Sequence, residues 1–272
     1  MMSAPWFWPA AAIVFGTSCF QGLSGFGMAL IAIPCLVAIV EPQFAVPIIT
    51  LIAISTTLLT TVMYWRHLLP KQALWLGVPT LLASPLGTYL LKVLSTSQLK
   101  AGVGCVLVLT SGWQLAKSFL IAPPEKLTDI GVKEPGVVPI GSNPDLDAEF
   151  LSPASRIASV FIGGCSGVMG GAIGMTGPLL ADYLIKTGMK RESFKVTMSV
   201  IFLASSIWRT GLYFSDGFLN ESVLTCGLLF IPVALLGTYV GLHYGKRFSM
   251  ERFKTFIHWT LLGFGIWFLI FQ

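Results

Sequence analysis

Residues 162–183 read Ile-Gly-Gly-Cys-Ser-Gly-Val-Met-Gly-Gly-Ala-Ile-Gly-Met-Thr-Gly-Pro-Leu-Leu-Ala-Asp-Tyr, from Ile162 to Tyr183. The run is apolar enough to enter a membrane, yet it carries seven glycines and a proline. Each glycine weakens a helix by roughly 1 kcal/mol relative to alanine. A helix facing lipid has no use for that load. A helix that breaks in mid-membrane does, because irregular backbone at that depth lines a cavity and offers its polar groups to a substrate. A shorter run near the start of the chain is built the same way: Gln21-Gly22-Leu23-Ser24-Gly25-Phe26-Gly27-Met28, followed by Pro34.

The 272 residues are 54% hydrophobic and only 11% charged, with a mean hydropathy of +0.79. A soluble domain carries about 25% charged residues, so the composition is that of an all-α polytopic membrane protein. The net charge of +5 comes from basic residues in short loops between apolar runs, as cytoplasmic loops demand. The lipid bilayer is the expected partner, and nucleic acid is not. Cys19, Cys35, Cys105, Cys165 and Cys226 all lie in apolar segments. They read as small packing residues, with no metal or cofactor expected. The N-terminus lacks a basic region ahead of its first apolar segment, so that segment is expected to be retained.

No charged residue occurs between Met1 and Val40. That length exceeds one span of about 20 residues and barely makes two. Gly22, Gly25 and Gly27 fall in its middle, which predicts a discontinuous helix or a re-entrant pair. Further spans are expected over Phe44–Trp65, Gln72–Leu91 and Ala101–Leu120. Residues 122–153 then hold six prolines and six acids, a polar connector without a core of its own. A second half follows: the Gly-rich run to about Ile185, then Val196–Phe214, Glu221–His243 and Thr255–Phe271. The expected organisation is a first transmembrane repeat over 1–120, a connector over 121–153 and a second repeat over 154–272. That makes about eight hydrophobic units, four in each half, with the first of each half glycine-broken.

The halves repeat one another in sequence. Gly22-Leu23-Ser24-Gly25 matches Gly164-Cys165-Ser166-Gly167, Pro34 matches Pro178, and Trp65-Arg66 matches Trp208-Arg209. Leu86-Gly87-Thr88-Tyr89 recurs as Leu236-Gly237-Thr238-Tyr239. Matches in constant order imply a duplication, and a duplicated membrane protein is expected to be a transporter with its site between the halves. Two topologies fit. If each half crosses four times, the halves are parallel and Arg66, His67 and Lys71 lie outside, against the charge rule. If each Gly-rich unit forms a hairpin, the halves are inverted and those residues lie inside.

The two Gly-rich segments ending in Pro34 and Pro178, the four-unit repeat, the polar mid-chain loop and the length resemble the TauE/SafE sulfite exporter family of membrane permeases. The resemblance covers nearly the whole chain, and Gly163 to Pro178 is its most specific piece. The first copy departs from the pattern, since Gly25-Phe26-Gly27 lacks the double glycine. The resemblance implies export of sulfite, sulfoacetate or a related organosulfur anion, coupled to an ion gradient such as protons. It implies a multi-pass protein of the cell membrane, of bacterial inner-membrane type, for which an oligomer is possible.

A small oxyanion needs hydrogen-bond donors. Broken helices supply free backbone N–H groups and a partial positive charge at the helix N-terminus. The expected substrate contacts are therefore Gln21, Gly22, Ser24, Gly25 and Gly27 in the first copy. In the second they are Ser166, Gly167, Gly170, Gly171, Gly174 and Thr176. The competing role for these glycines is tight helix packing. Arg209 lies deep in an apolar span, where arginine costs about 2.5–3.5 kcal/mol, and Arg66 is its match in the first half. Both are candidate anion contacts, against the alternative of snorkelling beside Trp208 and Trp65. Asp182, one turn after Pro178, is a candidate proton relay or a partner of Lys186.

Two other classes stay open. Gly22-x-Ser24-Gly25 and Gly164-x-Ser166-Gly167 also look like the nucleophile motif of rhomboid intramembrane proteases, which would require His243 or His258 as a base. A motif occurring twice speaks against this, since one nucleophile suffices, and a non-enzyme is expected. A transporter of another small solute is the other alternative.

Overall fold

The computed structural model describes residues 6–120, 153–186, 189–244, 262–263 and 265–270. Among these, every regular element is helical. They are α1 (Phe7–Ser24), α2 (Met28–Val37), α3 (Pro42–Tyr64), a 3-10 turn (Trp65–His67), α4 (Pro70–Val93), α5 (Thr96–Leu120), α6 (Pro153–Ile173), α7 (Gly177–Lys186), α8 (Arg191–Ser215) and α9 (Glu221–Tyr244). The connector at 121–152 and most of the expected last span, Thr255–Phe271, lie outside the described residues. Residues 265–270 are helical and pack on α5, where a β-carbon on Gly104 would stand 2.9 Å from Gly265 O.

The helices wear their apolar side outward. On α4, Leu74, Val78, Leu82, Leu86 and Tyr89 are exposed, Leu82 at 77%, while Thr80, Ser84, Gly87 and Thr88 are buried. On α9, Leu228 and Leu236 are exposed, and Gly237, Thr238 and Gly241 are buried. Lipid tails accept such a surface, and small buried residues let membrane helices approach closely. Four helical segments, Pro42–His67, Pro70–Val93, Ser155–Ile173 and Glu221–Tyr244, are long and apolar enough to cross a bilayer. The chain is a multi-pass helical membrane protein.

Each Gly-rich unit consists of two helices that fold back on one another. α1 ends at Ser24; Gly25 and Gly27 have φ of 86° and 100°, a region open to glycine and costly for other residues. α2 then returns along α1, so that Ser18 Oγ lies 3.7 Å from Met28 Sδ. In the second unit α6 ends at Ile173, Gly174 has φ of 72°, and α7 returns. There Tyr183 Oη stands 3.0 Å from Ser159 Oγ and donates to Ser155 O at 3.1 Å. A ten-residue helix such as α2 or α7 is about 15 Å long, half of a hydrocarbon core of about 30 Å.

The hairpins exchange partners. α1 packs along α9, with Phe7 stacked on Phe230 at 5.1 Å at one end and Gly22 against Gly241 at the other. α6 packs along α4 in the same parallel sense, with Arg156 over the Trp75 ring at 5.2 Å, Thr80 Oγ1 donating to Gly163 O at 3.1 Å, and Gly171 against Gly87. α3 and α8 meet at the centre and run antiparallel. Lys195 at the start of α8 lies 5.7 Å over the Tyr64 ring at the end of α3. At the opposite end, Val46 shares a buried cluster with Tyr213.

These contacts define two faces. Arg66, His67, Lys71, Arg156 and Lys190 lie on one. The other carries Glu41, Glu221 and the Lys92–Asp216 ion pair at 2.9 Å. α8 begins five residues before the expected Val196. Lys195, just ahead of the span expected from sequence, is therefore inside the helix and 5% exposed. The basic run depressed local hydropathy and hid the helix start.

Candidate functional site

The two hairpin tips meet between α3 and α8, around a cavity of about 40 Å3. The first tip brings Gln21 and Gly27, and the start of α2 brings Met28, Ala29 and Leu30. α2 has no side-chain cap at its N-terminus, which leaves its first-turn N–H groups without a capping side chain. The second tip brings Gly174, Thr176 and Gly177. α3 contributes Ala53 and Thr57, and α8 contributes Phe202, Ser206 and Arg209. A cavity of that size holds a few waters at most.

Arg209 dominates the electrostatics of the site. It is 4% exposed. Its guanidinium donates through Nη1 to Gly170 O, through Nε to Ser205 O at 3.3 Å and through Nη2 to Ser206 Oγ at 3.4 Å. None of its partners among the described residues is a carboxylate. A buried charge without a counter-ion is strongly unfavourable, and a bound anion would relieve that cost. Thr176 stands beside it, 4% exposed, with an Oγ1 that has no hydrogen-bond partner. Gln21 is held by donation from Nε2 to Thr56 Oγ1 at 3.0 Å.

Of the residues expected from sequence, Gln21, Gly27, Gly174, Thr176 and Arg209 line the cavity, and Gly170 adjoins it through its carbonyl. The others lie elsewhere. Gly22 and Gly171 are packing positions against α9 and α4, and Gly167 packs on Thr80. Gly25 turns the first tip against Lys195. Ser24 Oγ is engaged with Phe20 O at 2.8 Å and with Phe26 O. Ser166 is buried away from the cavity and its Oγ has no partner. Arg66 is exposed in the 3-10 turn on the basic face. Asp182 is half-buried on α7, and the side chain of Lys186, its suggested partner, lies outside the described residues.

Neither serine of the two Gly-x-Ser-Gly motifs is hydrogen-bonded to a histidine among the described residues. His243 stacks on Tyr239 at 5.9 Å, and His258 lies outside them. The reading from sequence missed Thr57, Phe202 and Ser206. The available signal was hydroxyls recurring at helical spacing inside apolar spans.

Short helices whose ends converge on a buried, cationic, hydroxyl-lined centre belong to membrane transport proteins. The chain belongs to the sulfite exporter TauE/SafE family, whose model matches residues 10–268. Comparison with curated proteins and with solved structures gives no match. Transport of the exporter type is the function of that family.

Proposed function

We propose that this chain exports a small sulfur oxyanion, of the sulfite or sulfoacetate class, bound between the two hairpin tips with Arg209 as its counter-charge. The observation that carries this is a buried arginine without a carboxylate partner, beside the unpartnered hydroxyl of Thr176. The N–H groups at the start of α2 add donors, and Gln21, Thr57 and Ser206 complete a polar lining. Gly27 and Gly174 let the backbone approach the anion. Proton coupling belongs to this reading, with Asp182 as the candidate relay.

The two halves are an inverted duplication in this reading. Its support is a set of equivalent contacts in the same order along both halves. A β-carbon on Gly25 would meet Lys195, and one on Gly174 would meet Val46. Gly22 meets Gly241, and Gly171 meets Gly87. The register pairs Gly25 with Gly174, Thr57 with Ser206, Thr60 with Arg209 and Tyr64 with Tyr213. It differs by one to two helical turns from the matches visible in sequence. Because the equivalent helices α3 and α8 run antiparallel, the axis relating the halves lies in the membrane plane. The face bearing Arg66, Lys71, Arg156 and Lys190 is then cytoplasmic, in the cell membrane.

The test is sulfite and sulfoacetate flux in proteoliposomes, with and without an imposed pH gradient. Arg209→Gln should abolish flux in protein that inserts normally. Arg209→Lys should recover little, because an ammonium does not reproduce the guanidinium's fork of donors. Full flux in Arg209→Gln removes this site. Full dependence on the pH gradient in Asp182→Asn removes the relay.

A further inference from the structure

The outer side of the α4–α6 pair is hollow, and the hollow has a charged end. Along α4, Lys71, Trp75, Pro79 and Ala83 follow at steps of four. Along α6, Arg156, Val160, Gly164 and Val168 do the same. Residues at that spacing form one row on a helix. The two helices run parallel, so each row begins with a cation at the basic face and continues with apolar residues toward the middle of the membrane. Between the rows lies an open trough of about 750 Å3, lined only by apolar side chains and Gly164. A second trough of about 790 Å3 reaches Leu109 on α5 and Leu179 on α7, and shares Ala83, Val160 and Gly164 with the first.

The chain leaves this hollow empty where the two troughs join. On α6, β-carbons at Gly163 and Gly167 would run into Leu76 O and Thr80 O of α4, whereas one at Gly164 would have nothing within 4 Å. The length of the hollow is that of one leaflet. Lys71 lies twelve residues before Ala83, about 18 Å of helix at about 1.5 Å per residue, and half of a hydrocarbon core is about 15 Å. The mouth is cationic. Arg156 is exposed, with its guanidinium carbon 5.2 Å from the centre of the Trp75 ring, and the exposed Lys71 lies one turn before that tryptophan. On the α1–α9 pair, Phe7 stacked on Phe230 at 5.1 Å occupies the corresponding end, without a charge.

We infer that this surface is a binding site for one anionic phospholipid of the leaflet on the basic face. Its phosphate sits at the mouth between Arg156 and Lys71, and its acyl chains lie in the two troughs, side by side over Gly164. A guanidinium presents a fork of donors that matches phosphate oxygens, and basic pockets between membrane helices hold anionic head groups. The shape argues for a lipid over a second copy of the chain. A lipid has one charged group at one end of an apolar length of one leaflet, as the hollow does. A spanning helix of a second copy would need a seat along the whole membrane thickness. The inference does not depend on which solute is transported.

The test is native mass spectrometry of the full chain, released from detergent that contains equimolar phosphatidylglycerol and phosphatidylcholine with the same acyl chains. Wild type should keep one phosphatidylglycerol per chain in preference to phosphatidylcholine. Arg156→Gln should lower that preference roughly tenfold, and Lys71→Gln should lower it in the same direction. Arg66→Gln, which removes a cation from the same face but outside both rows, should leave it unchanged. Gly164→Leu, which fills the hollow without touching a cation, should lower retention of both lipids, and it serves if Arg156→Gln does not fold. Equal retention of the two lipids by wild type overturns the site. Equal losses in Arg66→Gln and Arg156→Gln overturn it as well, because any cation on that face would then serve. A dimer of the chain that carries no lipid and is broken by Gly164→Leu also overturns it, since a second copy would then cover the hollow.

Discussion

Gly171 and Gly164 lie in the same run of α6, and the structure assigns them opposite sensitivities. A β-carbon on Gly171 would stand 2.5 Å from Ser84 O, 2.7 Å from Thr88 N and 2.8 Å from Gly87 Cα, all backbone atoms of α4. Ordinary contact begins near 3.4 Å, so α4 and α6 must separate by roughly 0.9 Å, an overpacking toward the upper end of about 1–3 kcal/mol. Alanine returns up to about 1 kcal/mol in helix propensity, leaving Gly171→Ala destabilised by up to about 2 kcal/mol. Gly164 has nothing within 4 Å of the same position. Gly164→Ala keeps the propensity gain and should be neutral or more stable by up to about 1 kcal/mol. The assay is equilibrium unfolding of the two variants in mixed micelles with increasing denaturing detergent. Equal midpoints, or a more stable Gly171→Ala, would refute the claim that Gly171 serves close approach of α6 to α4.

Two further outcomes are expected. In a cysteine-free background, cysteines at 66 and 190 should react with an impermeant maleimide from one side of the membrane, and cysteines at 92 and 216 from the other. Labelling of 66 and 216 from the same side would remove the inverted arrangement. Gly27→Ala should lower stability by about 1–3 kcal/mol for its left-handed backbone, with further strain because the added β-carbon would stand 2.6 Å from the Phe20 ring. Thermal unfolding reads this directly, and an unchanged midpoint means that the tip relaxes without cost.

Membrane class and helical character were legible from composition. The register proposed above for the two halves was not. Glycine serves two purposes here: it turns the tips with positive φ, and at Gly22, Gly87, Gly171 and Gly241 it lets helices touch. Gly22-Leu23-Ser24-Gly25 ends a helix, whereas Gly164-Cys165-Ser166-Gly167 lies in the middle of one, so the register proposed above does not pair them. Arg209 was visible because a charge deep in an apolar span stands out. Lys195 was not, because three neighbouring basic residues made it look like loop. Its long apolar stem lets it enter the protein from the first turns of α8. Thr57 and Ser206 carried only the weak signal of hydroxyls at helical spacing, since hydroxyls commonly satisfy themselves on the preceding turn of a membrane helix.

The exchange of hairpin partners has a consequence for how the protein is made. Gly22 leaves the ribosome long before Gly241, against which it packs. At synthesis rates of about 5–20 residues per second the first hairpin waits roughly ten to forty seconds for α9. During that interval its glycine face has only lipid or the insertion machinery as a neighbour. The second hairpin has no such delay, because α4 is already in the bilayer when α6 emerges. Packing thus completes at the second hairpin before the first, and a chain released before α9 would leave the earlier-made hairpin the less finished.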